Sequence, residues 1–276
     1  MLADHIRGLR NGCRRVAAAT ACFDPARLVQ RFGRLSERPW SAESVLRLLM
    51  ALFLMLGVMG LVAYGIDMAL GQLPKDTRRY YISIVSTFGF QGAALALVHQ
   101  FLRSNQLAWT DAFGLNRPGL LGTVFLAAGV AILVFPVNLS LMWVSQRLME
   151  WRSIQPVAQP AVEALQTTTR VDQKLALGWL AIVMAPLVEE VLFRGVFYPG
   201  IKQAGFPRAA FWLTALVFAL THANVMTFLP LTFFAMVLTL LYEYTDNLLA
   251  PMLTHSLFNA ANYFWLLWET GLRGPG

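Results

Sequence analysis

Residues 209–242 read AAFWLTALVFALTHANVMTFLPLTFFAMVLTLLY, 34 positions without Asp, Glu, Lys or Arg. A single helix of that length would run about 51 Å at 1.5 Å per residue, against a bilayer core of about 30 Å. One crossing is too short a path for it. Thr-His-Ala-Asn at 221–224, with Pro230 close behind, predicts a turn between two spans near 207–223 and 227–245. Further charge-free stretches lie at 48–66, 80–102, 118–146, 175–188 and 247–268. All but one of these match a single crossing. The 14 residues of 175–188 are too few, so that helix must continue through Glu189, Glu190 and Arg194 to about Pro199. The expected fold is all-α: a polytopic membrane protein of about seven transmembrane helices around an intramembrane polar cavity.

Composition agrees. Of 276 residues, 57% are hydrophobic and 13% charged. Soluble domains carry about 45–50% apolar and about 25% charged residues. A soluble particle of this size would lack the polar surface to cover itself, which excludes a water-soluble domain, a disordered chain, a coiled coil and a small disulfide scaffold. Continuous apolar runs also exclude an outer-membrane barrel, whose strands alternate.

The net charge is +7. Nine arginines within residues 1–47 (Arg7, Arg10, Arg14, Arg15, Arg27, Arg31, Arg34, Arg38 and Arg47) face Asp4, Asp24, Glu37 and Glu43. A basic segment ahead of the first span places the N-terminus in the cytoplasm, in a plasma (inner) membrane. With it inside, the segments 1–47, 103–117 and 194–208 hold 14 of the 22 Lys and Arg. No aromatic residues interleave with the arginines as a nucleic-acid stacking platform requires, so no nucleic-acid partner is expected. Cys13 and Cys22 fall in a reducing compartment and lack further His or Cys at zinc-finger spacing. The segment has no signal-peptide core. Three regions follow: a basic cytoplasmic segment (1–47), three spans with a connecting loop (48–173) and a polar-residue core (174–268). The loop at 147–173 reads as partly helical.

The chemistry concentrates in the third region. In Glu189-Glu190-Val-Leu-Phe-Arg194, three charges occupy six positions of a membrane helix. Each costs roughly 2.5–3.5 kcal/mol at a helix centre by insertion scales. Glu190 and Arg194, four apart, share a face and can pair. Glu189 lies about 100° around the helix without a local partner, as suits a general base. Pro186, one turn upstream, is expected to kink the helix. The alternative is a charged triplet at the headgroups. In Phe218-Ala-Leu-Thr-His222 the aromatic ring and imidazole share a face. In His255-Ser-Leu-Phe-Asn259 the imidazole and carboxamide do, and Asn262 continues that face; Pro251 fits the first turn, with Asp246 or Asn247 as caps. Interhelical hydrogen bonding is the alternative for both. One carboxylate, two imidazoles and a carboxamide on one cavity could activate water and stabilise an oxyanion. There is no evident serine or cysteine nucleophile, no His-Glu-x-x-His motif and no phosphate-binding glycine loop.

EEVLFR, FALTH and HSLFN, with the surrounding APLVEEVLFRGVFYP and LYEYTDNLLAPMLTHSLFN, resemble the three motifs of the CAAX-processing and bacteriocin-processing (CPBP, or Abi) intramembrane endopeptidases, across about residues 175–265. The resemblance implies a membrane protease acting on membrane-anchored or hydrophobic peptides. It implies Glu189 as the base, His222 as its partner, His255 and Asn259 as oxyanion donors, and Glu190 and Arg194 as positioning groups. The family is often called metalloprotease, and Glu with two His could ligate zinc. A metal-free mechanism accounts for the same residues and is preferred. Two readings from other classes stay open: a non-catalytic scaffold, immunity protein or transporter accessory subunit, and a transporter with Glu189 as proton carrier. Geometry separates them. An enzyme needs Glu189, His222, His255 and Asn259 on one reachable cavity, whereas a scaffold would pair their polar atoms away from it.

Overall fold

The structure, a computed structural model, describes residues 35–273 except 118, 156, 158 and 169. Most of the basic N-terminal segment, with Cys13 and Cys22, lies outside the described residues. Among those described the secondary structure is helical, with no strand. The elements are α1 (Ala42–Ala69), α2 (Lys75–Ser104), the short α3 (Trp109–Phe113), α4 (Leu120–Trp151), α5 (Pro160–Thr167), α6 (Val171–Gln203), α7 (Pro207–Thr221), α8 (Val225–Thr245) and α9 (Leu249–Arg273).

Seven of these correspond to the expected spans. Five of them, α1, α2, α4, α6 and α8, are long and apolar enough to cross a bilayer. The other two depart from the simple picture. α7 has only 15 residues, about 22 Å of helix, shorter than a bilayer core of about 30 Å. α9 has 25 residues but carries the buried Thr254 and His255 and the partly buried Asn259, polar groups that face the protein interior rather than lipid. Leu61 and Leu121 remain 73% exposed and Phe125 75%. Apolar area of this kind along α1 and α4 is compatible with a lipid surround and not with water. The chain is an integral membrane protein.

The predicted alternation of sides is internally consistent. At one end, Arg38 before α1 donates to Asp246 Oδ1 and to the Tyr242 hydroxyl, each at 2.7 Å. Arg117, from the α3–α4 connection, pairs with the same Asp246, and Gln203 at the end of α6 donates to the Arg38 carbonyl at 3.0 Å. The Leu248 N–H donates to the Phe113 carbonyl at 2.9 Å. At the other end, Arg79 meets Glu163 at 3.2 Å and Asn224 donates to the Val157 carbonyl at 2.7 Å. Every loop expected on one side gathers there.

Three boundaries shift. α1 starts at Ala42, so residues 42–47 of the basic segment belong to its first turns, with Glu43 and Arg47 paired on the exposed surface. Arg38, read as part of a solvated tail, is buried between Tyr242 and Asp246. Asn247, not Asp246, caps α9: its Oδ1 accepts the Leu249 N–H at 2.9 Å. Asp246 instead ends α8 in the left-handed region, φ 48°. Gly114 sits against it at φ 68°, and a Cβ there would come within 2.0 Å of the Asp246 carbonyl, so only glycine closes this contact.

Single cysteines placed at Asn116 and at Gln72 should label with a membrane-impermeant maleimide from opposite faces of sealed vesicles. Labelling from the same face would refute the alternation.

Candidate active site

α6 builds the centre of the site, and it is not a regular α-helix. It widens into π turns at Leu180–Met184 and Val191–Phe197, on either side of the α-helical Ala185–Glu190. Each wide turn runs into a proline, Pro186 and Pro199. The expected kink at Pro186 is thus realised as a change of helical register, a feature common at functional sites. The register has a consequence for Ala181. The Ala185 N–H donates back five residues to Leu180, so it is lost to Ala181. The next N–H in the wide register would come from residue 186, and proline has none. Asn259 Nδ2 on α9 donates to this carbonyl at 2.8 Å.

The charged residues sort as their spacing predicts. Glu190 is fully buried and Arg194 is 1% exposed. Arg194 Nη1 donates to Glu190 Oε1 at 2.8 Å, and Nη2 to the Ala235 carbonyl of α8 at 3.0 Å. The guanidinium also lies 4.7 Å from the centre of the Phe218 ring on α7, a cation–π contact in a dry setting. His255 completes the group. Its Nδ1 stands 2.8 Å from Glu190 Oε1. The carboxylate oxygen already accepts from Arg194, so Nδ1 carries the proton. Phe218 and Phe234 flank the ring, with centroids 5.8 and 5.2 Å away.

This leaves His255 Nε2 directed at the neighbouring glutamate, 3.8 Å from Glu189 Oε2. That separation exceeds a direct hydrogen bond and suits a bridging water. Unlike Glu190, the Glu189 side chain is 29% exposed, and it lines a cavity of about 1070 Å³ between α1, α2, α6 and α7. His222 lines the same cavity at the end of α7. Its Nδ1 donates to the Phe218 carbonyl at 2.9 Å, which turns the Nε2 edge into the nitrogen available for other partners. The cavity walls are chiefly aliphatic and aromatic.

The structure therefore brings Glu189, Glu190, Arg194 and His255 into one connected group, with His222 on the wall of the cavity that Glu189 also lines. His255, rather than His222, stands nearest Glu189. Asn259 joins through the α6 backbone, its amide spent on Ala181. Asn262 is not part of the site: it is exposed and bonds the Phe258 carbonyl of its own helix at 2.9 Å. Further cavity-lining polar groups, Thr214 and Thr221 on α7 and Ser86, Thr87 and Gln91 on α2, escaped the sequence reading; for the last three a signal existed. Their signal was polarity inside the otherwise apolar 80–102 run. Glu190, Arg194 and Asn259 are paired away from the cavity, as any scaffold would have them, whereas Glu189 and His222 face it.

A catalytic zinc takes three protein ligands. Among the described residues, no three His, Cys, Asp or Glu side chains converge closely enough to hold a metal ion. His255 spends one nitrogen on Glu190, which leaves Glu189 and His255 Nε2 as a pair without a third donor. The arrangement does not fit zinc as it stands.

Residues 171–261 match the family described as Type II CAAX prenyl endopeptidase Rce1-like, the stretch on which the motif resemblance rests. No curated protein and no solved structure matches the chain.

Arg194→Ala should lower the thermal unfolding midpoint in detergent severely, since deleting one partner of a buried pair costs about 3–5 kcal/mol. Asn259→Ala should cost about 1–3 kcal/mol by stranding the Ala181 carbonyl. An Asn259→Ala variant as stable as wild type would show that the amide does not hold the wide turn.

Proposed function

We propose that the chain is an intramembrane endopeptidase that hydrolyses peptides anchored in the bilayer, with Glu189 as general base. One observation carries this reading: a partly accessible carboxylate on a large apolar cavity, 3.8 Å from an imidazole nitrogen whose ring is fixed from behind by a buried ion pair. The family match supports the same class of reaction and suggests prenylated CAAX-type peptides as substrates.

The mechanism runs through the chain's own residues. A water held between Glu189 Oε2 and His255 Nε2 gives its proton to Glu189 as its oxygen attacks the scissile carbonyl. The Glu190–Arg194 pair keeps His255 in the tautomer whose Nε2 accepts from that water. Negative charge builds on the carbonyl oxygen. His222, when protonated, presents Nε2–H towards it from the cavity wall. Collapse breaks the C–N bond, and Glu189 returns its proton to the leaving amine. Asn259 acts through the α6 backbone, holding the wide turn ahead of Pro186 and so the direction in which Glu189 points. This departs from the oxyanion role that the motif resemblance implies for it.

Two tests follow. In proteoliposomes with an internally quenched farnesylated CAAX peptide, Glu189→Gln should express and purify like wild type and cleave at least about 10²-fold more slowly, the lower range for a lost general base. A well-folded variant cleaving at the wild-type rate would sink the assignment. Dialysis against a strong chelator should leave wild-type cleavage intact; loss that added zinc restores would overturn the metal-free route.

A further inference from the structure

The cavity wall opposite Glu189 is formed by α1 and α2, outside the segment that matches the endopeptidase family. Such a wall needs no polar groups to hold a hydrophobic anchor. It has them nonetheless. Gln91 is only 6% exposed, lines the cavity, and its Oε1 has no hydrogen-bond partner within the protein. Ser86, on the same wall, likewise leaves its Oγ unpartnered. A buried carboxamide acceptor without a donor is costly, and large apolar side chains would fill the position without that cost.

The position of Gln91 suits a substrate contact. One turn further along α2, Ala94 and Leu95 pack in the same core as Val188 and Leu192 of α6, the residues that bracket the Glu189–Glu190 pair. α2 also rests directly on the Ala185–Glu190 segment. Gln91 therefore shares a cavity with Glu189 and lies on a helix that packs against the segment carrying it. The missing partner is a donor. An extended peptide entering a membrane cavity brings a row of backbone N–H groups that lose their water there, and each needs an acceptor.

Building on the endopeptidase reading, we propose that Gln91 is a substrate-binding residue: its side chain, folded into the cavity wall, turns so that Oε1 accepts a backbone N–H of the bound peptide, with Ser86 as a second polar contact, so that α2 sets the peptide's register against Glu189. This assigns a substrate-positioning role to a helix outside the family match.

The test uses the full-length protein in nanodiscs, carrying Glu189→Gln to prevent turnover, and the farnesylated CAAX peptide as probe. Binding is compared with a set of peptides N-methylated singly at each backbone position around the scissile bond. The Glu189→Gln background should lose about tenfold in affinity with one N-methylated peptide of the set, the order of one neutral hydrogen bond. With Gln91→Leu added, that peptide and the parent should bind alike, both about tenfold weaker than the parent binds the Gln91 protein. In the otherwise wild-type enzyme, Gln91→Leu should raise KM with little change in kcat. Equal parent binding with and without Gln91 overturns the proposal, as does failure of the peptide to bind at all. Binding that follows the expected pattern while the wild type cleaves nothing would leave Gln91 as a peptide contact and remove the protease reading instead. Gln91→Glu, with an acceptor retained, should keep most of the affinity; a loss as large as that of Gln91→Leu also counts against the proposal.

Discussion

The buried pair between Glu190 and Arg194 is the constraint on which the site depends. Two charges at this depth are tolerated only because both are enclosed and bonded: Arg194 reaches Glu190 on its own helix, the Ala235 carbonyl on α8 and the face of Phe218 on α7. His255 from α9 adds the fourth element. One ion pair thus ties together α8 and the three helices that carry the polar motifs. Such a pair is weak evidence for stability, because desolvation offsets its Coulomb attraction. Its use here is orientation. With Oε1 of Glu190 engaged from two sides, the imidazole of His255 has one tautomer and one direction, and that direction is Glu189.

The two adjacent glutamates show how far environment divides identical side chains. They differ by one residue and about 100° of helix. Glu190 turns inward among Arg194 and His255, and Glu189 turns to the cavity with over a quarter of its side chain exposed. The wide turns of α6 lie on either side of the segment that holds both. They add a residue to the local repeat, and each leads into a proline that cannot bond backward. The strain on the backbone is met by a side chain from another helix, Asn259 on Ala181.

Much of this was legible in the sequence, and the reasons it stopped are physical. Charge-free run lengths located the spans because lipid forbids unpaired charge. The four-residue spacing of Glu190 and Arg194 fixed their pairing because both sit on one helix. Arrangements that depend on two helices meeting were another matter. Spacing within HSLFN places His255 and Asn259 on one face but does not say what that face meets. It meets Glu190 for one residue and a backbone carbonyl for the other. The π turns have no local sequence signal beyond Pro186 and Pro199. Arg38 read as one charge among nine in a basic tail; its burial depends on Asp246, more than two hundred residues later.

The division between the two halves of the chain follows from these contacts. Residues 171–261 supply charge, imidazole and the backbone irregularity that aims them, and they are the residues that match the Rce1-like family. The earlier helices supply most of the opposing cavity wall. A water-activating group needs surroundings that hold it in one geometry, so its environment tolerates little change. A cavity wall need only fit what enters, and can differ wherever the substrate differs. The polar groups on α2 are therefore the informative ones. On the motif helices Asn259 spends its amide on Ala181 and Glu190 and Arg194 bond each other; Glu190 Oε2 and Arg194 Nε, like Gln91 Oε1 on α2, keep no hydrogen-bond partner among the described residues.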